Sequence, residues 1–383
     1  MKLLEFINIK NGKSRPMMIE GGKYPVYGAN GVIGFSNQWN TDAESIIIGR
    51  VGSFCGSIYY SDKKAWATDN SMMVTNQLNA DSKYLFYMFQ TLGLNSRASG
   101  SGQPLLNQFI INSIEYNLPP LPEQKRIANI LSSFDNKIEL LREQNKTLEN
   151  IAQTIFKQWF IDFNFPDSNG KPYKDNGGKM RESDLELIPE GWEIISLKEI
   201  ISLRGGFAHN TKLKGKPKTK IAKMGVVNGE NFFNRSSVID YAGEIDNKYL
   251  LTPGDLLICT RDVTRDKIVI GNVARIPEDL AEYGLYAGSN TWIIKTDYSK
   301  DYLYLLFRSK NFRKHIIRVS KGSTIVMITQ DSFLNYKFCK PDNKTLGKFS
   351  NIVNKILSKI QLNIVQELNL LKIEEILLSK LIN

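Results

Sequence analysis

Leu118-Pro119-Pro120-Leu121-Pro122-Glu123-Gln124-Lys125-Arg126-Ile127 opens the stretch whose reading decides the fold. Its three prolines hold the chain extended, and they lack only amide donors that the first turn of a helix leaves unused. Neither Pro nor Gly recurs until Pro166. Within that run Ile127, Leu131, Phe134, Ile138, Leu141, Leu148, Ala152, Ile155 and Trp159 recur at alternating steps of four and three, interrupted only by the polar Asn145. The spacing predicts one long helix with a narrow coiled-coil seam, roughly 50 Å from Ile127 to Trp159 at about 1.5 Å per residue. A lone core helix would give a similar pattern. A second copy of the helix elsewhere in the chain favours a pair.

That second copy follows Pro341. Phe349, Val353, Ile356, Ile360, Ile364, Leu368 and Leu371 sit at steps of four or three. Sliding the first seam onto this segment also selects Leu370, Leu377 and Leu381, together with the polar Asn363, Glu367 and Glu374, so the second seam is less regular. The regions before the helices repeat too. Leu3-Leu4-Glu5-Phe6-Ile7 matches Leu197-Lys198-Glu199-Ile200-Ile201, Tyr84-Leu85-Phe86 matches Tyr302-Leu303-Tyr304, and Gly100-Ser101 matches Gly322-Ser323. Ile48-Gly49-Arg50 aligns with Cys259-Thr260-Arg261, and Asn70 with Asn290. Short apolar runs such as Ser45–Ile48 and Asp255–Ile258 read as buried strands, and Asp81–Leu92 and Lys300–Ile317 as helical. Each copy is therefore mostly β with a long helix after it. The expected architecture is α+β: two similar mostly-β domains separated by a pair of long antiparallel coiled-coil helices, a pseudo-two-fold internal repeat. The expected divisions are 1–117, the helix 118–164, a Gly- and Pro-punctuated linker 165–187, 188–340, and the C-terminal helix 341–383.

At 383 residues the chain exceeds what one hydrophobic core usually supports. A net charge of +11 suits a polyanionic partner, although a Lys-, Asn- and Ile-rich composition also follows from AT-rich coding. Three scattered cysteines, Cys55, Cys259 and Cys339, give neither a disulfide framework nor a zinc cluster. With no signal-like start and no apolar run of membrane-spanning length, a cytoplasmic protein with no membrane partner is expected.

The order of a variable unit, Leu-Pro-Pro-Leu-Pro-Glu-Gln-Lys-Arg-Ile with its long helix, Phe160-Ile161-Asp162-Phe163, a linker, Ile188-Pro189-Glu190-Gly191-Trp192, a second unit and a final helix resembles the DNA specificity subunit of type I restriction–modification systems. The first copy lacks the Pro-x-Gly-Trp preface, and Lys340-Pro341-Asp342-Asn343-Lys344 replaces the Pro-rich run in the second. The resemblance implies two target-recognition domains, each reading one half of a split site on double-stranded DNA, with the helices setting the gap. It also implies two methyltransferase subunits docked on the helices, restriction subunits beyond them, and no catalysis in this chain. S-adenosylmethionine, ATP and Mg²⁺ are then expected on the partners, with no metal here. A protein-interaction scaffold without DNA specificity is the alternative, and a standalone DNA enzyme a third.

Candidate DNA contacts follow from side-chain chemistry. Arg50 and Arg261 each end a strand, where a guanidinium serves guanine, phosphate or a structural ion pair. Asn30, Asn70, Gln103 and Asn290 suit adenine, or turn stabilisation. Ser101, Ser323 and Thr324 lie in Gly-bearing turns that offer amides to phosphate. Arg204, Lys216 and Lys218 add cations, the last two within the strip Lys212-Lys214-Lys216-Lys218-Lys220, which is either a phosphate-tracking loop or a solvated one. No Gly-x-x-x-x-Gly-Lys-Ser/Thr loop is present, and His209 and His315 stand alone.

Overall fold

Helix formation follows the apolar spacing at both expected places. The structure, a computed structural model, describes residues 1–77, 80–99, 104–208, 216–228, 232–264, 267–281 and 284–382. It divides into two compact units, Met1–Leu141 with Gln366–Asn383, and Arg142–Val365. Each long helix contributes to both.

In the first unit the chain forms β1 (Ile7–Asn11), β2 (Tyr24–Gly28), β3 (Gly31–Ser36), β4 (Ser45–Gly49), β5 (Ile58–Ser61), β6 (Trp66–Ala67) and β7 (Ser71–Asn76). Helices α1 (Ser82–Thr91) and α2 (Gln108–Asn112) follow, and then α3 (Leu121–Phe160). A four-stranded antiparallel sheet has the order β1-β7-β4-β5, and a second sheet the order β3-β2-β6 with β2 and β6 parallel. Strand β4, Ser-Ile-Ile-Ile-Gly, is buried throughout, as a central strand covered on both faces requires. On edge strand β1, Ile7 and Ile9 are buried while Lys10 is exposed, the period-two pattern of a half-covered strand.

The second unit begins with the end of α3 and continues through β8 (Met180–Arg181), β9 (Ile188–Pro189), β10 (Glu193–Ser196), β11 (Ser202–Gly205), β12 (Thr219–Ala222), β13 (Val238–Tyr241), β14 (Leu256–Cys259), β15 (Arg261–Asp262), β16 (Val273–Arg275), α4 (Glu278–Ala281), β17 (Leu285–Ala287) and β18 (Thr291–Lys295). Then come α5 (Lys300–Arg308), α6 (Lys310–Val319), β19 (Val326–Met327), α7 (Gln330–Leu334), β20 (Lys337–Lys340) and α8 (Asn343–Ile382). Its main sheet, β11-β18-β14-β16, and its second sheet, β13-β12-β17 with β12 and β17 parallel, repeat the strand orders of the first unit.

Capping repeats as well. The Asp81 carboxylate accepts from the Tyr84 amide at 2.9 Å to start α1, and Ser299 does the same for Tyr302 at 3.2 Å to start α5. Glu5 and Glu199 each accept a backbone amide three residues back, from Lys2 and Ser196, at 2.7 Å. The segment Lys300–Ile317 is not one helix but two, because Ser309 leaves α5 in an extended conformation and caps Phe312 at 3.3 Å to begin α6.

The long helices lie against each other within each unit. In the first, Ile127, Ala128 and Leu131 of α3 share a core with Leu377, Leu378, Leu381 and Ile382 of α8, and the Tyr116 hydroxyl donates to the Ile382 carbonyl at 2.7 Å. Ile138 and Leu141 are also buried, Phe134 is half-buried, and so are Leu370 and Leu377. In the second, Phe349 contacts Phe160 at 4.7 Å and Trp159 at 5.8 Å between ring centroids, while Asn363 meets Asn145, so the two directions are opposed.

The apolar stripe drifts from the heptad template in this unit. Ala152, Phe156, Trp159 and Phe160 are buried against Phe349, Val353, Leu357 and Ile360, whereas Leu148, Ile155 and Ile356 are half-buried. An unsupercoiled helix has 3.6 residues per turn, and here it faces a globular core as well as its neighbour, so its stripe is wider than a strict seam.

The polar breaks in both seams pair. Asn363 is fully buried and donates from Nδ2 to Asn145 Oδ1 at 2.9 Å and to Gln144 Oε1 at 3.4 Å, while its own Oδ1 has no partner among the described residues. Such a contact specifies alignment at some cost in stability. The double variant Asn145→Leu/Asn363→Leu is expected to be more stable than the parent by about 1 kcal/mol, because it removes an incompletely bonded buried amide. The single variant Asn363→Leu is expected to gain less, since Asn145 loses its donor. Denaturant titration of the three proteins checks that order.

Candidate nucleic-acid interface

In the first unit four chain segments converge beyond the C-terminal end of β4. The Arg50 amide donates to the Asn70 carbonyl at 3.0 Å, and the Arg50 carbonyl accepts from the Leu106 amide at 2.9 Å. The Gly52 amide reaches the Pro104 carbonyl at 3.1 Å, with Gly52 at φ +70° in the left-handed region that glycine adopts freely. The tip of the β2–β3 hairpin, Ala29-Asn30, presses on Gly49, where an added Cβ would sit 2.5 Å from the Ala29 carbonyl oxygen. Asn30, Arg50 and Asn70 are therefore neighbours along one edge, and Asn30 and Asn70 are exposed. Arg50 is half-buried. Its Nη1 donates to the Asp69 carbonyl at 3.4 Å, and its Nε is buried with no partner among the described residues. Ser101 and Gln103 lie outside the described residues.

The second unit builds the same edge with different side chains. The Thr260 amide donates to the Asn290 carbonyl at 3.0 Å, and the Ile328 amide donates to the Thr260 carbonyl at 3.3 Å. These are the bonds that Arg50 makes, so its structural counterpart is Thr260. Arg261, paired with Met327, occupies the place of Val51, which bridges to Leu105. The expected equivalence of Arg50 and Arg261 is thus off by one residue. Along a strand one residue reverses the side-chain direction, so the two arginines leave their edges on opposite sides. Arg261 is exposed, with no bonding partner for its guanidinium among the described residues.

The other candidates divide. Asn290 sits at φ +63°, a conformation asparagine tolerates better than most residues, which gives it a turn-forming role; it is half-buried. Ser323 and Thr324 are exposed in a loop closed by the Lys321–Met327 bridge, beside Gly322 at φ +119°. Arg204 donates from Nη1 to the Lys248 carbonyl at 3.1 Å, bracing that turn. Lys216 and Lys218 are exposed at the entry to β12, and Lys218 lies 3.5 Å from Glu244. Lys212 and Lys214 lie outside the described residues.

Sequence reasoning missed the loop that follows β15. Asp262 is buried, and its carboxylate accepts from the Thr264 amide and hydroxyl, each at 2.6 Å, and from the Val269 and Ile270 amides at 2.6 and 3.0 Å. Burial works against its charge, but these bonds outweigh it and hold the carboxyl below the usual aspartate value. Arg313 of α6 grips the same loop from the other side. It donates to the carbonyls of Lys267 at 3.0 Å, Ile268 at 3.1 Å and Ile270. The loop so held leaves Val263 and Ile268 exposed, a suitable surface for thymine methyl groups. The Asp-x-Thr turn was a readable local signal; the Arg313 grip, arriving from a distant helix, had none.

Among the described residues no group of three or more His, Cys, Asp or Glu could hold a metal ion. Cys259 and Cys339 are buried, and burial pushes both thiols up to about 12. No helix among the described residues is long and apolar enough to cross a membrane.

The family model for the type I restriction modification DNA specificity domain matches residues 1–150 and 189–373. The chain belongs to that family. The two matched segments run through the two sheet-rich regions and into both long helices, so the type I specificity domain occurs twice. Among curated relatives, the MjaVIII type I restriction enzyme specificity subunit of Methanocaldococcus jannaschii is 29% identical over 302 residues, covering 76% of this chain and 67% of its own length. The MjaIX specificity subunit of the same organism is 26% identical over 317 residues, covering 79% and 68%. The crystal structure of the type I restriction–modification S subunit from M. genitalium superposes with a TM-score of 0.61 at 16% identity, covering 100% of this chain and 95% of that one. Its likeness establishes the fold: two sheet-rich domains with a long C-terminal helix.

Proposed function

We propose that the chain is the DNA-recognition subunit of a type I restriction–modification complex, with each sheet-rich domain reading one half of a split site. The observation that carries this reading is the recurrence of the same two sheets, in the same strand order, with different side chains on the corresponding edge. Sequence is read by side chains reaching base edges from a rigid frame, and two frames with different edges read two different half-sites. Residues 1–117 and 188–340 are the readers, and the helices within 118–164 and 341–383 set the gap. The helices also carry exposed aliphatic side chains suited to partner docking: Leu140, Ile373 and Ile376 in the first unit, and Ile151, Ile352 and Leu362 in the second. Two methyltransferase subunits occupy those faces, with restriction subunits added for cleavage. S-adenosylmethionine, ATP and Mg²⁺ act on the partners, and this chain is non-catalytic.

The test is co-expression with the host methyltransferase subunit, followed by sequencing of modified bases. Arg50→Ala is expected to relax one position of one half-site, with a loss of about 1–3 kcal/mol in discrimination. Arg261→Ala should do so in the other half only. A motif that does not depend on this chain contradicts the proposal. If either arginine merely braces the fold, its variant lowers the melting temperature and leaves the motif unchanged.

A further inference from the structure

The exposed face of α6 carries Lys310, Lys314 and Arg318 at steps of four, which places them in one stripe along the helix. The whole helix, Lys-Asn-Phe-Arg-Lys-His-Ile-Ile-Arg-Val, has no acidic residue. Beside it lies an open groove of about 490 Å³, into which Lys337 of β20 brings a further cation and Asn311 and Asn335 bring amides. Lys314, Arg318, Lys337, Asn311 and Asn335 are all exposed.

The groove wall is fixed. His315 Nε2 lies 3.0 Å from the Ser332 carbonyl, and Arg318 Nη2 lies 3.4 Å from His315 Nδ1. A carbonyl only accepts and a guanidinium only donates, so a neutral imidazole with its hydrogen on Nε2 satisfies both. The ring also packs edge-on against Tyr336 at 5.0 Å. Among the described residues no ion pair forms to Lys310, Lys314, Arg318 or Lys337. Leu185 also lines the groove, between the acidic Asp184 and Glu186, and the Glu186 charge reaches Tyr336; the four cations Lys310, Lys314, Arg318 and Lys337 outnumber these two carboxylates. Cations in excess over their neighbouring carboxylates repel each other, and an anionic ligand relieves that repulsion.

We propose that this groove binds the phosphate backbone of duplex DNA beside the base-reading edge of the second unit. The proposal rests on the DNA-recognition reading given above. Two observations choose DNA phosphate as the occupant. The stripe runs directly into the candidate edge, because α6 ends at Val319 and the chain passes at once into Lys321, Gly322, Ser323 and Thr324. Its length also fits: Lys310 to Arg318 spans roughly 12 Å at about 1.5 Å per residue, and one strand of a duplex offers a phosphate about every 3.4 Å along its axis. Contacts of this kind position a reader and carry no sequence information.

The experiment measures binding of the full chain to a random-sequence duplex of about 40 base pairs across a salt series. Lys314→Gln/Arg318→Gln/Lys337→Gln is expected to flatten the dependence of log K on log salt by about 2 to 3, since each lost phosphate contact removes about 0.9 from the slope. A control, Lys171→Gln/Lys174→Gln/Lys179→Gln in the linker, removes the same charge and should leave the slope within about one unit of the parent. If the groove variant keeps the parental slope, or keeps it and instead loses its methyltransferase subunits, the groove proposal is overturned while the DNA reading stands. If the parent shows no salt-sensitive duplex binding, alone or with those subunits, the DNA-recognition reading itself falls.

Discussion

Replacing Phe160 by alanine is expected to destabilise the second unit by about 3–5 kcal/mol, the usual range for deleting a buried aromatic ring. Phe160 lies at the meeting point of elements distant in sequence. Its ring centroid is 4.7 Å from Phe349 on α8, 4.8 Å from Tyr302 on α5 and 5.9 Å from Trp192 beside β10, and 5.3 Å from Phe156 on its own helix. Two of these contacts are edge-on, a geometry that contributes about 0.5–1.5 kcal/mol per pair beyond area burial. The residue is 3% exposed, and a cavity there is walled by other rings that cannot collapse without leaving their own contacts. For a unit of this size the melting midpoint should fall by roughly 10 °C, at about 2–4 °C per kcal/mol. Scanning calorimetry of Phe160→Ala and Phe160→Leu measures it, with leucine expected to recover part of the loss. A change under about 1 kcal/mol for alanine would mean that the long helices are not anchored to the domain through this cluster.

The second large effect is expected at Asp262. Alanine there removes the acceptor for three backbone amides and one hydroxyl, and buried donors left without partners cost about 1–3 kcal/mol each. The loop should therefore open at a cost of about 3–5 kcal/mol, and recognition by the second half-site should fail while the first is retained. The Asp262→Asn variant would not restore it, because the nitrogen of the new side-chain amide is a donor facing donors. The pH dependence has a definite sign. The carboxyl is held below its ordinary value, so its stabilising contribution is complete above the unfolded-chain value near 4 and is lost as pH falls through the lower folded value. The stability difference between parent and Asp262→Ala should stay constant near neutrality and narrow below about pH 4. Urea titrations at a series of pH values measure it, and a gap that widens on acidification would contradict the assignment.

These two residues mark where the amino-acid sequence was legible and where it was not. The helices were legible because apolar spacing over about nine turns is a strong signal, and the duplication because Leu3–Ile7 and Tyr84–Phe86 recur in order. A strict heptad selects Ile155 and Trp159 and skips Phe156 and Phe160, whereas a helix that also faces a globular core buries a broader stripe. The pairing of Arg50 with Arg261 failed by one position because a single-residue offset is invisible without the partner strand. The amide bonds that Arg50 and Thr260 donate to the Asn70 and Asn290 carbonyls are what make these two residues counterparts. The candidate edge itself comes from loops whose contacts arrive from far along the chain, as Arg313 reaches Lys267 and Ile270, and no local pattern encodes such contacts.

The most direct measurement is a modified-base map made with a chain lengthened by four residues in both long helices at facing positions, co-expressed with the host methyltransferase subunit. Four residues add about 6 Å of helix, close to two base pairs of duplex at about 3.4 Å each. Two half-sites of unchanged sequence, set further apart by about two base pairs, are the expected result. An undivided motif, or a gap that keeps its length, would contradict the account of two readers on a helical ruler.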